Sequence, residues 1–323
     1  MALSNHSTIT EFILLGLSAD PHVQVLLFVL FLVIYLLTLM GNLLMLLVIR
    51  ADSHLYTPMY FFLSQLSFVD LCFSSVILPK MLENLLSKMK AISVEGCLAQ
   101  IFFVLVTGGT EASLLTMMAY DRYAAICHPL LYAQVMSNKL CVRLVLVSWV
   151  LGILDMLLNV PLAVKMDFCG TCIIPHYSCE LPSLFLLSCS DVSINLIVMF
   201  CSIIPHGLAT SLSIFYSYGC IVSTILSISS SSGRSKAFST CSSHLITVSL
   251  FYGSAFLRYL TPTSGSPLEL IFSLQYNVIT PMLNPLIYSL KNKEVKAALK
   301  RTVGKFLNAL SGKIKRRNDR ELG

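Results

Sequence analysis

The sequence predicts an all-α membrane protein: a seven-transmembrane helix bundle followed by a short amphipathic helix. Three observations lead there. Of its 323 residues, 56% are hydrophobic and only 12% charged, against roughly a quarter charged in soluble domains. Apolar windows recur along the whole chain, each with the ~20 residues needed to cross ~30 Å of hydrocarbon. The basic residues are also segregated, since eleven of the 22 Lys and Arg follow Leu290. By the positive-inside rule that end is cytoplasmic.

Taken in order, residues 1–23 form an extracellular N-terminal segment, 24–290 the transmembrane domain and 291–323 a basic cytoplasmic tail. The start of the chain lacks the basic leader and cleavage site of a removable signal peptide, so the first apolar run is expected to target the chain and stay. Asn5-His6-Ser7 is an N-glycosylation acceptor, usable only if Asn5 is outside. Spans are predicted at 24–50, 58–82, 97–127, 140–162, 195–227, 237–260 and 268–290. An odd number places the ends on opposite sides, so a cytoplasmic tail requires an extracellular N-terminus. The inner loops then carry Arg50, Arg122, Lys139, Arg143, Arg234 and Lys236. Lys80, Lys88 and Lys90 run against this near the first outer loop, softened by Glu83 and Glu95. After Lys293, Val295, Ala298, Leu299, Val303, Phe306 and Leu307 alternate with bases, which predicts a helix lying on anionic membrane lipid. In this setting the basic tail is not a nucleic-acid arm.

The eleven cysteines sort by compartment. Those within spans or at their inner ends behave as small reduced hydrophobes. Cys97, Cys169, Cys172, Cys179 and Cys189 face the oxidising side. Pairing Cys97 with Cys179 ties the long loop 165–191 to the bundle, and Cys169 with Cys189 closes the loop on itself. Spacing alone does not choose among connectivities, and Cys172 is left over or an alternative partner. His176, Cys179 and Glu180 also have partial metal-site chemistry, which a disulfide at Cys179 would remove.

Ionisable groups inside hydrocarbon are costly and turn to the bundle interior. Asn42, Asp70, Glu111, Asn284 and Tyr288 are such groups; Asp155 is another, with no role assigned. Glu111 and Arg122, eleven residues apart, share a face of the third span at depths ~16 Å apart. Asp70 and Glu111 at mid-depth can share a proton or hold a cation, sodium being the candidate ion, with hydrogen bonding to Asn42 and Asn284 as the alternative. Pro58, Pro205, Pro281 and Pro285 are expected as kinks at depth. Pro281 and Pro285, with Asn284 and Tyr288 beside them, mark the inner half of the seventh span as a bending element.

The motifs GN at Gly41, PMYFFLSQLSFVD from Pro58, MAYDRYAAICHPL from Met118, SY at Ser217, KAFSTCSSHL from Lys236 and PMLNPLIYSLKN from Pro281 occur in order over nearly the whole chain. In these the chain resembles the vertebrate olfactory receptors of the tetrapod-type class, which are rhodopsin-like G-protein-coupled receptors. The resemblance implies that a small volatile odorant activates a stimulatory heterotrimeric G protein and raises cyclic AMP. It also implies residence in the plasma membrane, in olfactory sensory cilia. It assigns the disulfides Cys97–Cys179 and Cys169–Cys189 and a mid-membrane ionic site at Asp70 and Glu111. The coupling triplet falls on Asp121, Arg122 and Tyr123, and the inner tyrosines that rearrange on Tyr218 and Tyr288. Two positions depart from the pattern: Tyr56 stands where the family commonly has histidine, and Tyr177-Ser178 where it has two aromatics.

On this reading the odorant cavity opens between the third, fifth, sixth and seventh spans under the stapled loop. Its expected contacts are Val104, Leu105, Gly108 and Gly109; Ser202, Ile203 and His206; Tyr252, Ala255 and Tyr259; and Asn277. Apolar walls supply affinity while His206, Tyr252 and Tyr259 orient an oxygen-bearing group. The glycines are expected to leave room for the ligand. A transporter or channel using Asp70 and Glu111 is the competing reading, but there is no inverted repeat. An enzyme is the weaker reading still, since neither HExxH nor GxSxG occurs and pairs such as Ser243-His244 lack a third orienting group; no enzyme activity and no organic cofactor are expected.

Overall fold

The computed structural model describes residues 9–304 except 170, 171 and 262, and also leaves undescribed the side chains of Tyr259 and Lys291. Asn5, Phe306 and Leu307 lie outside the described residues. The long helices are α1 (Pro21–Ala51), α2 (Pro58–Leu86), α3 (Val94–Cys127), α5 (Asn138–Val164), α7 (Ser193–Ser227) and α8 (Ser231–Leu260), with short α4 (Tyr132–Val135) and α6 (Leu181–Leu187) between them. The seventh span comprises α9 (Pro267–Leu274), a π-helical turn (Gln275–Ile279) and α10 (Thr280–Lys291). A final helix, α11, covers 293–304. Five of these, α1, α2, α3, α5 and α7, are individually long and apolar enough to cross a membrane.

Local chemistry sets the helix starts. Asp20 accepts the backbone N–H of His22 ahead of Pro21, and Ser93, Ser137, Ser230 and Ser266 cap α3, α5, α8 and α9 in the same manner. Such side-chain oxygens satisfy donors that the helix cannot. Pro58 begins α2 rather than kinking it at depth as the sequence predicts. At a first helical position its missing N–H costs nothing. Pro281 comes one residue after the π turn, where Thr280 N–H and Oγ1 both reach the Gln275 carbonyl. The wider turn accommodates a ring that would crowd an α-helical carbonyl.

Long apolar side chains such as Leu26, Leu212 and Phe215 are exposed, whereas Thr38, Asn42, Asp70, Glu111 and Asn284 are buried. This inverted arrangement suits hydrocarbon as the solvent. α3 is the central strut and touches α2, α5, α7 and α8. Gly152 lets α5 approach the α3 backbone, and Gly41 lets α1 meet α10: a Cβ at Gly41 would lie 2.9 Å from Pro285 Cγ.

One element departs from an all-helical expectation. β1 (Glu11–Leu14) pairs antiparallel with β2 (Ala91–Ser93) and parallel with β3 (Ile173–Ile174), giving the order β2-β1-β3. Phe12 and Leu14 are fully buried beneath this sheet with Ile92, Cys97 and Ile174. Part of the N-terminal segment is therefore built into the outer cover of the bundle, held by backbone hydrogen bonds.

Candidate functional site

The site has an outer cover, a polar middle and an inner end, all bordering α3. At the outer end both expected cysteine pairs are joined, with Cα separations of 5.4 Å for Cys97–Cys179 and 5.9 Å for Cys169–Cys189. Cys179 is therefore no thiolate, and among the described residues no group of three potential metal ligands forms. Gln100 of α3 braces the bridge by accepting Cys179 N–H at 3.0 Å. Tyr177 reaches down from the loop and donates to Ser273 at 3.0 Å, while Asn277 donates to the Tyr177 hydroxyl at 2.9 Å. Glu180 sits against Arg258, Ser273 and His176. Burial pushes its carboxyl up, but His176, Arg258 and Ser273 outweigh that and hold it below the usual carboxylate range.

The predicted ligand contacts fall into separate neighbourhoods. Val104 packs towards Phe73, Tyr177 and Val278, and Leu105 and Ile203 towards Cys97 and Met199. The space at the two glycines is occupied by the protein itself. A Cβ at Gly108 would meet the Tyr276 hydroxyl at 2.7 Å, and one at Gly109 the Asp155 carboxylate at 2.8 Å and the Gly152 Cα at 2.9 Å. His206 uses both ring nitrogens: Nδ1 lies 2.6 Å from Asp155 Oδ2 and Nε2 2.9 Å from Ser113 Oγ. This gives Asp155 a partner. Although hydroxyl, imidazole and carboxylate line up, Ser113 is fully buried and its hydroxyl lies 3.0 Å from the Gly109 carbonyl, so no reacting carbonyl can approach it. Ser202 accepts from Asn159 at 2.9 Å. Tyr252 donates to the Ala112 carbonyl at 3.3 Å and stacks edge-on with Phe251. Ala255 lies partly buried on α8, and Tyr259 belongs to the same helix one turn further on. A groove of about 370 Å³ on the outer flank, between α2, β2 and α3, is bordered by Val76, Lys80, Gln100 and Phe103 and includes none of the predicted contacts.

In the middle, Asn284 donates to Asp70 at 3.0 and 3.3 Å, and Asn42 to the carbonyls of Thr38 and Pro281, each at 3.0 Å. Asp70 and Glu111 interact electrostatically across α2 and α3. Among the described residues, Glu111 Oε1, Asn284 Oδ1 and Asn42 Oδ1 are buried acceptors with no donor. The chemistry of this set fits either a proton on a carboxyl or a small hard cation such as sodium, which takes oxygen ligands.

The inner end is closed. Arg122 donates through Nε and one terminal nitrogen to Asp121 Oδ2, with Nε at 2.9 Å, and Tyr132 donates to Asp121 Oδ1 at 2.7 Å. Tyr123 pairs with His128 at 3.1 Å. Tyr218 lies 2.6 Å from His244 Nδ1, and His244 Nε2 lies 3.0 Å from the Leu115 carbonyl. Because a carbonyl only accepts, Nε2 carries the proton and Nδ1 accepts from Tyr218. His244 thus joins α7, α8 and α3. It sits in the KAFSTCSSHL stretch but carries no assigned role in the sequence reading; a histidine inside a membrane-spanning segment is the signal that could have marked it. Tyr132 and Arg258 carried no comparable signal. Tyr288 is buried in the inner core beside these groups. On α11, Arg301 donates to Asp52 at 2.7 Å. Burial would raise the Asp52 carboxyl, but hydrogen bonds from His54 and Arg301 bring it down to about 2.

A family model described as Olfactory receptor matches residues 31–305. Olfactory receptor 8S1 of Homo sapiens is 71% identical over 296 residues, covering 92% of this chain and 82% of its own length. Olfactory receptor 7A40 of Mus musculus is 51% identical over 303 residues (93% and 98%), and Olfactory receptor 7G3 of Homo sapiens 49% over 308 (95% and 99%). Among solved structures, squid rhodopsin aligns with a TM-score of 0.69 at 18% identity, covering 91% of this chain and 84% of that one. At that identity the likeness concerns the fold alone.

Proposed function

The chain belongs to the olfactory receptor family, and from that premise we propose how this rhodopsin-like receptor signals: a small volatile odorant held under the outer loop opens the inner end, which then activates a stimulatory heterotrimeric G protein and raises cyclic AMP. The receptor is a multi-pass membrane protein and not an enzyme. The observation that carries the proposal is the closed inner end. Asp121 and Arg122 are neighbours in sequence and splay by ~100° around α3, so their contact restrains without locking. Arg122 is the group released when α8 swings away from α3, a population shift between two packings. Leu130, 94% exposed beside this triplet, presents an apolar knob to the partner.

The N-terminus is extracellular and the α11 side cytoplasmic, with the basic face of α11 on anionic lipid. The cell surface of sensory cilia is the proposed site of action. The ligand contacts are drawn from Val104, Leu105, Ile203, Tyr252, Ala255 and Tyr259. His206 and Asn277 act mainly by shaping the cavity, because their polar groups are already engaged. Asp70 and Glu111 would hold a sodium ion if one binds, and it would supply positive charge that links α2 to α3 in the resting packing. Arg122→Ala tests the central claim: surface expression is retained and cyclic-AMP output to an odorant panel is abolished. Undiminished output at equal surface level overturns it. An N-terminal tag stained on intact cells, with a C-terminal tag stained only after permeabilisation, tests the orientation.

A further inference from the structure

We infer that Arg258 is a positioning residue which latches the disulfide-anchored outer loop onto the outer ends of α8 and α9, and so sets how readily the cavity opens, without itself contacting the odorant. Glu180 immediately follows Cys179, so whatever holds Glu180 holds the loop. Arg258 of α8 donates to Glu180 Oε2 through Nε at 3.1 Å and a terminal nitrogen at 2.5 Å. The same terminal nitrogen lies 3.0 Å from Glu269 Oε1 of α9. Glu269 in turn accepts the backbone N–H groups of Ser264 and Gly265 at 2.8 and 2.7 Å, which fixes the turn joining the two helices. Ser273 of α9 donates to Glu180 Oε1 at 2.8 Å, and His176 Nε2 lies 3.5 Å from the same oxygen. One guanidinium therefore joins a loop and two helices.

The turn itself lies against the loop. Gly265 has φ +73°, and a Cβ there would meet the Pro175 carbonyl at 2.7 Å. Two carboxylates share the one guanidinium, and among the described residues the His176 imidazole is the further basic group beside them. Arg258 is about one-eighth exposed and Glu269 fully buried. Removing the guanidinium leaves uncompensated buried charge, the costly way to break an ion pair. A lysine in its place is a point charge that cannot fork to two carboxylates.

This inference rests on the extracellular placement of the loop proposed above, and the test separates the two. Cys172, a half-buried free thiol, directly precedes β3 on this loop and reports its opening without any odorant. Intact cells displaying the receptor are treated with a membrane-impermeant maleimide, with Cys172→Ser as the blank. At matched surface level, Arg258→Met is expected to label about fivefold faster than the parent, and Arg258→Lys to fall between them. The charge exchange Glu180→Arg with Arg258→Glu is expected to return the rate towards the parent, whereas either single change labels fast. If Arg258→Met does not reach the surface, Arg258→Lys and the exchanged pair carry the comparison. An unchanged rate in the substituted receptors, or an exchanged pair that labels as fast as its single variants, overturns the latch. Labelling that appears only after permeabilisation would overturn the orientation instead; the rates measured in permeabilised cells would still decide the latch.

Discussion

Adjacent residues of one helix can differ sharply in what they tolerate, and Gly108 and Gly109 are such a pair. A methyl at Gly108 meets a single side-chain atom, the hydroxyl oxygen of Tyr276, and no backbone. One at Gly109 meets the α5 backbone at Gly152 and the carboxylate that His206 grips. Gly109→Ala is thus expected to cost ~1–3 kcal/mol through overpacking and to lower surface expression, with Gly108→Ala close to the parent. Equal surface levels for the two would show that α3 and α5 have slack here. Glu180 offers a pH prediction with a definite sign. Its carboxyl is held below the usual range, so its contribution is complete above the ordinary carboxylate value and disappears only as pH falls through the depressed one. External acidification from pH 7.4 to about 5.5 should leave the resistance of the loop to the broad-specificity proteinase K on intact cells unchanged; a loss in that interval would place the carboxyl higher than the geometry does.

At the scale of elements, the His244 imidazole ties α8 to the Leu115 carbonyl of α3, alongside the Tyr252 hydroxyl at the Ala112 carbonyl. His244→Phe keeps the ring volume but deletes the link between Tyr218 and the Leu115 carbonyl. A net hydrogen bond is worth ~1 kcal/mol, so basal cyclic AMP at matched expression should rise about fivefold if this link stabilises the resting packing. An unchanged basal level would assign it to folding alone. The elements themselves were largely legible in the sequence, because hydropathy and end signals are local. The first span, predicted at 24–50, is extended to Pro21–Ala51 by the Asp20 cap and Pro21. The sixth, predicted at 237–260, begins at Ser231 because its first turns are polar and leave no hydropathy signal. The sheet was not legible: β1 has four residues and its partners lie some 80 and 160 positions away. The motif residues were equally readable, while their partners were not. Tyr218 meets His244 across 26 positions and Arg258 meets Glu180 across 78, distances at which only the folded backbone decides contact.

For the whole molecule, α3 places the outer bridge at Cys97, the buried acid at Glu111 and the Asp121–Arg122 pair along one rod, so a change at any level is felt by the same packed element. At the middle level the hydrogen-bonding ledger is open. Glu111 Oε1, Asn284 Oδ1 and Asn42 Oδ1 all lack donors, and buried acceptors without partners are expensive. A proton satisfies one oxygen, whereas a cation at the centre satisfies several at once and links α1, α2, α3 and α10 in the resting packing. If a cation does so, removing it should favour the open inner end. Replacing external sodium by an impermeant organic cation is then expected to raise odorant-independent cyclic AMP about threefold, a shift of under 1 kcal/mol in a two-state equilibrium. Asp70→Asn should abolish that dependence, because it removes the charge while keeping the shape and adding a donor. Were parent and Asp70→Asn receptors to respond alike to sodium, the buried acids would be a protonated structural pair, and coupling along α3 would need no ion.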